Sequence, residues 1–279
     1  MQIGQFEIHT FVEHRFKLDG GTMFGVIPRS LWQKMIPPDE NNLIDMNINL
    51  FVLKAHDKVI IFDVGLGDTL SEREKRIYSP VDNSHLDEGL QALGLKPEDI
   101  DYVIMTHLHT DHAAGAVQFS DNGAFEPRFP NATYVASRKE WEAATHPDER
   151  TSAVYIPARY LAIEEMAKHR LIDHDTEILP GIKAVFTGGH SPGHFALEIE
   201  SEGHKLYYYA DIFCTTHHIS IPYIPATDID PMTSMEIKRK KLPEIVDNDV
   251  ILAFDHDTKV PFGRVVRDGK RFVVEEVPA

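Results

Sequence analysis

Three histidines and an aspartate fall within six residues, His107-Leu108-His109-Thr110-Asp111-His112. Ahead of them the run Asp101-Tyr102-Val103-Ile104-Met105 reads as a buried strand, and behind them Ala113-Ala114-Gly115-Ala116 reads as the start of a helix. This stretch limits the fold more than any other, because one tight strand-to-helix turn must carry three imidazoles and a carboxylate. Neutral imidazole nitrogen and carboxylate oxygen are the donors that borderline divalent cations such as zinc prefer. The pattern predicts a metal site at the end of a strand.

Three further candidate ligands lie downstream. His190 sits in Gly188-Gly189-His190-Ser191-Pro192-Gly193-His194, a turn-rich loop after the apolar run Ile182 to Phe186. Asp211 follows Leu206-Tyr207-Tyr208-Tyr209-Ala210, and His256 follows Val250-Ile251-Leu252-Ala253-Phe254. Taken singly, an aspartate after a strand is a turn residue more often than a ligand. The joint pattern is the specific one, since strand ends converging on one sheet edge can assemble a metal site from distant sequence.

The order HxHxDH, a histidine in GHSPGH, an aspartate after a strand and a late histidine resembles the metallo-β-lactamase superfamily over nearly the whole chain. The resemblance implies an αββα sandwich, two mixed β-sheets flanked by helices. It implies one cation on His107, His109 and His190, a second on Asp111, His112 and His256, and Asp211 bridging them. Asp63, in Ile60-Ile61-Phe62-Asp63-Val64-Gly65, resembles the superfamily's strand-Asp-x-Gly element and would support the site from behind. His194 is expected to orient ligands in the same way, and Asp255 and Asp257 flank His256 as further candidates or as solvated turn acids.

Within the superfamily the chain looks most like the dinuclear N-acyl-homoserine lactonase and methyl parathion hydrolase-like branch. The stretch Asp19 to Pro28, a long segment after the HxHxDH helix, and the ending Phe254-Asp255-His256-Asp257 carry that narrower match. In this branch the loop bearing Met23, Phe24 and Ile27 borders the substrate pocket, and with Trp32 these residues form an apolar group suited to an acyl chain. Many such lactonases carry a Tyr three residues after the bridging Asp, where this chain has Cys214. Thr215, His217, His218 and Tyr223 are the alternative donors nearby, and Cys214 and His218 are expected to line the pocket.

The activity implied is opening of N-acyl-homoserine lactones, of quorum-quenching type, by a hydroxide shared between two divalent metal ions. Zinc is the expected metal, with manganese, iron and cobalt compatible. Asp111 and Asp211 are the candidates for carrying the proton to the departing oxygen. The same ligands would serve a phosphotriesterase. A glyoxalase II-type thioesterase would use basic residues near the C-terminus, where Lys259, Arg264, Arg267, Lys270 and Arg271 stand. Oxygen-reducing relatives usually carry a Glu in the region of His109. A non-catalytic metal-binding protein would need a degraded site, and all seven ligand positions are intact.

The balance of 28 basic against 44 acidic residues, a net charge of −16, argues against nucleic acid as a partner. Cys214 is the single cysteine, so no disulfide forms within the chain and a cytoplasmic location is expected. The start of the chain shows no secretory signal and no apolar run long enough to span a membrane, so no membrane partner is expected.

Expected strands are Phe6 to Val12, Ile48 to Lys54, Val59 to Asp63, Tyr102 to Met105, Thr133 to Ala136, Ile182 to Phe186, Ala196 to Glu200, Leu206 to Ala210, Val250 to Phe254 and Phe272 to Glu275. Expected helices are Asn83 to Leu93, one capped by Ser137, an amphipathic one over Tyr160 to Arg170, and a basic exposed one over Met232 to Leu242 capped by Asp230 or Thr233. No linker divides the chain, which predicts one domain over 1–279 with a helical insertion at about 137–175. That insertion, through Trp141, Tyr155, Ile156, Tyr160, Leu161 and Met166, would cap the cleft, anchor to the core or form a homodimer interface.

Overall fold

The computed structural model describes residues 1–269 and 271–279, and two seven-stranded sheets make up most of it. The first sheet holds β1 (Gln2–Ile3), β2 (Phe6–Asp19), β3 (Leu43–Ala55), β4 (Lys58–Phe62) and β5 (Tyr102–Ile104). After a small ribbon of β6 (Val117–Phe119) and β7 (Phe125–Pro127), it continues with β8 (Thr133–Ser137) and β9 (Lys168–Ile172). The second sheet runs β10 (Thr176–Leu179), β11 (Ile182–Phe186), β12 (Phe195–Ser201), β13 (His204–Tyr208), β14 (Ile251–Ala253), β15 (Phe262–Asp268) and β16 (Arg271–Glu276). Helices α1 (Gly20–Phe24) and α2 (Arg29–Trp32) follow β2, while α3 (Glu72–Tyr78) and α4 (Leu86–Ala92) lie between β4 and β5. Helix α5 (Thr110–Ala113) follows β5, α6 (Arg138–Thr145) and α7 (Pro157–Met166) join β8 to β9, and α8 (Pro231–Asp247) joins β13 to β14.

The layering follows from the two-residue period of a strand, which sends alternate side chains to opposite faces. In β3, Phe51, Leu53 and Ala55 enter the cluster between the sheets, while Ile48, Leu50 and Val52 face the cluster under α4 and α7. In β4, Ile60 and Phe62 point to the first of these and Ile61 to the second. The other sheet mirrors this, with Leu206, Tyr208, Ile251 and Ala253 facing inward and Tyr207 and Leu252 packing outward with Leu242 and Ile245 of α8. Strands buried on both faces read as continuous apolar runs, and an αββα sandwich results.

Most strand pairs are antiparallel, but β4, β5, β8 and β9 pair in parallel, as do β13 and β14. Parallel neighbours end on the same edge. Asp63 directly follows β4, His107 lies just past β5, Asp211 just past β13 and His256 just past β14.

Several expectations are corrected. The helix expected over Tyr160 to Arg170 stops at Met166, and residues 168–172 form β9, because pairing with β8 overrides local helix propensity. The segment 137–175 therefore combines α6, α7 and an edge strand of the main sheet. Trp141, Tyr155 and Tyr160 anchor it in the core, while Leu161 and Met166 are exposed. The group Met23, Phe24 and Trp32, expected in a loop bordering the substrate pocket, is buried around α1 and α2, with Phe24 stacked on Trp32. Helix α8 is longer than expected, capped by Asp230, and buries Ser234, Lys238, Leu242 and Ile245 instead of lying exposed.

Candidate metal centre

The motif residues 107–112 and the loop 187–194 belong to different sheets and are held together by hydrogen bonds. Phe195 N donates to Thr106 O at 3.1 Å, and Asn49 N donates to Asp255 O at 2.7 Å. Helix α6 supplies a further tie. Glu140 is fully buried and accepts from Leu108 N (3.1 Å), Tyr155 Oη (2.6 Å), Ser191 Oγ (2.7 Å) and Gly193 N (2.9 Å). Gly193 is required there, since a Cβ would collide with Ser137 Oγ and Glu140 N. Two residues beside the site hold left-handed backbone, Asp63 (φ 49°) and Ala210 (φ 42°), a conformation that costs energy away from glycine.

The imidazoles are oriented from behind. His112 Nδ1 donates to Asp63 Oδ2 (3.0 Å), His190 Nδ1 to Asp228 Oδ1 (2.8 Å) and His256 Nδ1 to Asn47 O (3.0 Å). Carboxylates and carbonyls only accept, so each Nδ1 carries a hydrogen and each Nε2 is the inward nitrogen, the one that would ligate a cation once free of its own proton. His107 Nδ1 lies 3.1 Å from Thr106 Oγ1, which itself donates to Asp63 at 2.8 Å. Asp63 also accepts from Thr106 N (2.7 Å) and Tyr208 Oη (2.7 Å), so it fixes two rings while fully hydrogen-bonded. His194 differs. Its ring packs 5.2 Å from His107 and 5.8 Å from His190, and its Nδ1 is 2.6 Å from Thr187 Oγ1, so it supports ligand rings by packing.

The inward atoms crowd one another, and His190 Nε2 lies 2.9 Å from Asp211 Oδ2. Among the described residues, His107 Nε2 and Asp211 Oδ1 are buried without a hydrogen bond. His190 Nε2 faces His109 Nδ1 at 3.0 Å, and His256 Nε2 faces His112 Nε2 at 3.2 Å. Three sets offer ligand atoms all within 4.8 Å of one another: Asp63, His107 and His112, whose carboxylate is already engaged by hydrogen bonds, and two that share Asp211, namely His107, His109, His190 and Asp211, and His112, Asp211, Asp255 and His256. Converging ring nitrogens beside an orphaned carboxylate oxygen fit divalent cations, and Asp211 belongs to both of the larger sets.

The last of these sets contains Asp255 where the sequence pointed to Asp111. Asp111 Oδ2 lies 3.6 Å from His256 Nε2 and 4.0 Å from His112 Nε2, the inward faces of both rings. Asp255 Oδ2 is 3.8 Å from His256 Nε2 but approaches His112 from its outer nitrogen, Nδ1, at 3.9 Å. Asp111 borders the cavity described below, whereas Asp255 is buried behind the rings. Neither Asp255 nor Asp257 is a solvated turn acid. Asp257 is buried and accepts from Thr216 N and Oγ1, Lys259 N and Val260 N.

Charge at the site is compensated by protons. Burial disfavours the imidazolium of His190 and His256, yet the carboxylates around them, Asp211 and Asp228 for the one and Asp255 and Asp211 for the other, raise these groups to about 10 and about 9. His112 is likewise pushed well above its ordinary value against burial, chiefly by Asp211 and Asp111. Burial and neighbouring positive rings push His107 and His109 well below theirs. Burial alone would raise Asp211, but His190 and His112 hold it well below the usual carboxylate range. Those protons supply the positive charge that a cation would replace on binding.

A narrow cavity of about 70 Å³ opens onto this cluster. It is lined by His109, Asp111, Asp211 and His256 together with the apolar Leu18, Met23, Ile77, Val154 and Pro225. Of the expected pocket residues, Met23 lines it and Phe24, Ile27, Cys214 and His218 do not. Cys214 is fully buried in the core under the first sheet, where burial raises its thiol. His218 is locked between Thr215 Oγ1 (2.7 Å) and Met23 O (2.8 Å) and stacks on Phe24 at 5.0 Å. Ile27 packs against the same core from its rim. Among the basic C-terminal residues, Arg264 and Arg267 pair with Asp249 and Asp247, and Lys270 lies outside the described residues.

The sequence did not point to Tyr78, Glu140, Tyr208 or Asp228. Tyr78 Oη lies 3.3 Å from Asp111 Oδ1, and burial, then Asp111, pushes its phenol well above 10. Each meets a partner at the centre from 32 to 145 residues away, and no local spacing marks such contacts.

The model of the metallo-beta-lactamase superfamily matches residues 43–256. An N-acyl homoserine lactonase of Bacillus thuringiensis is 27% identical over 227 residues, covering 77% of this chain and 83% of its own length. The N-acyl homoserine lactonase AttM of Rhizobium radiobacter is 30% identical over 197 residues, covering 67% of this chain and 70% of its own. A solved structure described as a probable metal-dependent hydrolase from Staphylococcus aureus is 33% identical, with a TM-score of 0.89 over the whole of both chains.

Proposed function

The chain belongs to the metallo-beta-lactamase superfamily, and from that premise we propose that it is a dinuclear metal-dependent hydrolase opening N-acyl homoserine lactones, in the manner of a quorum-quenching lactonase. The observation that carries this reading is the sharing of Asp211 by two donor sets beside a cavity that apolar residues also line. On this reading His107, His109 and His190 would hold one cation, Asp111, His112 and His256 the other, and Asp211 both. Bound there, two divalent ions supply Lewis-acid polarisation of the carbonyl and lower the pKa of water toward neutrality.

The chain's own residues do the rest. Asp63, Asp228 and Asn47 keep the ring nitrogens aimed inward. Asp111, at the cavity edge, is placed to pass a proton to the departing alkoxide. Leu18, Met23, Ile77, Val154 and Pro225 exclude water from the substrate's apolar part.

The His/Asp donor set favours zinc. A single cysteine suits a cytoplasmic location, and Leu161 and Met166, 50% and 52% exposed on α7, offer apolar surface to a homodimer. The net charge of −16 supports a small-molecule partner over nucleic acid. No helix among the described residues is long and apolar enough to cross a membrane.

Elemental analysis beside a substrate panel tests the reading. The panel holds acyl homoserine lactones of several chain lengths, simple lactones, an aryl phosphotriester and a glutathione thioester. The expected result is about two divalent ions per chain and preferred turnover of the lactones, abolished by chelation and restored by metal. Turnover of the phosphotriester or thioester alone would reject the lactonase reading and keep the site. Less than about one ion per chain would reject the site.

A further inference from the structure

Tyr78 ends α3, packs its ring near Phe16, lines the cavity and places its hydroxyl 3.3 Å from Asp111 Oδ1. Other buried tyrosines show what a committed phenol looks like. Tyr155 donates to Glu140 at 2.6 Å, Tyr208 to Asp63 at 2.7 Å and Tyr209 to Glu198 at 2.7 Å. Such distances are those of a charge-assisted O–H···O⁻ bond, about 2.5–2.7 Å, and the Tyr78 contact is well beyond them. Its single O–H is therefore held only weakly by Asp111, and Tyr78 is among the residues that line the cavity, where a better acceptor can take it. Thr22 and Thr227 also bring hydroxyls to the wall, but of the three only Tyr78 is hydrogen-bonded to the acidic cluster.

The mount is rigid. Glu74 and Tyr78 are four residues apart, hence on one face of α3. Glu74 forms a capping box with Ser71, pairs with Arg159 of α7 at 2.6 Å, and accepts from Thr110 Oγ1 at 3.3 Å. Thr110 and Asp111 are consecutive, so the helix face that carries Tyr78 is fixed to the motif at two points.

We propose that the Tyr78 hydroxyl is a substrate-contacting catalytic donor, hydrogen-bonding the carbonyl oxygen of the bound ester as that oxygen gains negative charge. The proposal rests on the hydrolase reading above. Water oxygen adds to the carbonyl carbon, and the C=O π pair moves onto the oxygen facing Tyr78, whose O–H stays intact and donates. The pair then returns as the ring C–O bond breaks, and the proton released by the water goes to the departing alkoxide. A neutral phenol is a donor throughout the working range.

The test compares metal-loaded wild type with Tyr78→Phe, which keeps the ring and removes the hydroxyl. Three quantities are read: metal content, kcat and KM on an acyl homoserine lactone, and calorimetric affinity for methyl butylphosphonate, a tetrahedral anion. We expect unchanged metal content, kcat lower by roughly 10²-fold and KM within about twofold. Phosphonate affinity should fall roughly tenfold or more. Unchanged kcat and phosphonate affinity would overturn the proposal, as would failure of the wild type to bind the phosphonate. Lost metal would also overturn it, making Tyr78 a support for Asp111. If the wild type opens no lactone, the lactonase reading fails separately, and the ratio of phosphonate affinities still decides the role of Tyr78.

Discussion

Asp211 and Glu140 are both buried carboxylates near the centre of the molecule, yet their surroundings differ in kind. Glu140 meets four donors, two backbone N–H groups and two hydroxyls, at 2.6 to 3.1 Å. Asp211 meets imidazole nitrogens, His190 Nε2 at 2.9 Å and His256 and His112 Nε2 at 3.4 and 3.5 Å, and its Oδ1 has no hydrogen bond. Fixed dipoles disperse the charge of Glu140 within the fold. The charge of Asp211 calls for a mobile positive partner, protons in the free chain and cations in the loaded one. Buried carboxylates thus separate into those that build the scaffold and those that hold a cation, and the separation is visible in which donors face them.

The largest expected effect comes from removing that requirement. Asp211→Asn leaves the shape and takes away the charge shared by both donor sets. Activity and metal affinity should each fall by more than the roughly 10²-fold lost when a group supporting a metal ligand is removed. Elemental analysis after dialysis, with kcat/KM on the same samples, checks this. Full metal content in the variant would break the comparison, because Asp211 would then be a scaffold acid like Glu140.

A third carboxylate sharpens it. Glu74 is buried with its own counter-charge, Arg159, whose Nη1 and Nη2 donate at 2.6 and 3.1 Å. Burial alone would raise the Glu74 carboxyl, but Arg159 outweighs it and holds the group below its ordinary 4.5. Arg159→Met should destabilise the protein by about 3–5 kcal/mol, the cost of stranding one charge of a buried pair. The sign with pH follows from the lowered folded value. Stabilisation from the pair is complete above about 4.5 and is lost as pH falls through that lower value, so the gap between wild type and variant narrows in acid. Urea unfolding at neutral pH and near pH 4 measures both, and a gap that widens in acid would mean that Glu74 is not the group stranded.

These cases also show where the sequence was legible. His107, His109, His112, His190, Asp211 and His256 stood out because donor residues past successive apolar runs have few other reasons to be there. The sheets were legible through short apolar runs such as Ile48 to Lys54, apolar on both faces because alternate residues enter different clusters. Glu140 was not. In Ser137-Arg138-Lys139-Glu140 it has the spacing of a capping box, and Ser137 Oγ does accept from Glu140 N, but the carboxylate turns away to serve two distant loops. Tyr78 lies in the charged segment Glu72–Tyr78, where no apolar period announces a helix. Strand β9 was hidden for the opposite reason, since its helix-like sequence is overruled by pairing with β8. Local chemistry reveals groups that act through their own type, and it conceals those that act through a partner chosen by the fold.

The smallest effect discriminates most finely. Glu140→Gln keeps the size and replaces one oxygen by an NH2 group. Ser191 and Tyr155 can adapt, since a hydroxyl rotates to accept from the amide. Leu108 N and Gly193 N cannot, and they bond to different oxygens of Glu140, so whichever way the amide turns one backbone N–H faces a donor. The expected cost is about 1–3 kcal/mol, that of one unsatisfied buried group. Because those two N–H groups belong to the two loops that carry His107, His109 and His190, the variant should also bind metal less tightly while retaining two sites. Urea unfolding of the metal-free protein isolates the first effect, and a competitive chelator titration isolates the second. Weaker metal binding with unchanged metal-free stability would show that Glu140 acts on the centre alone, and the line drawn between the two carboxylates would then be in the wrong place.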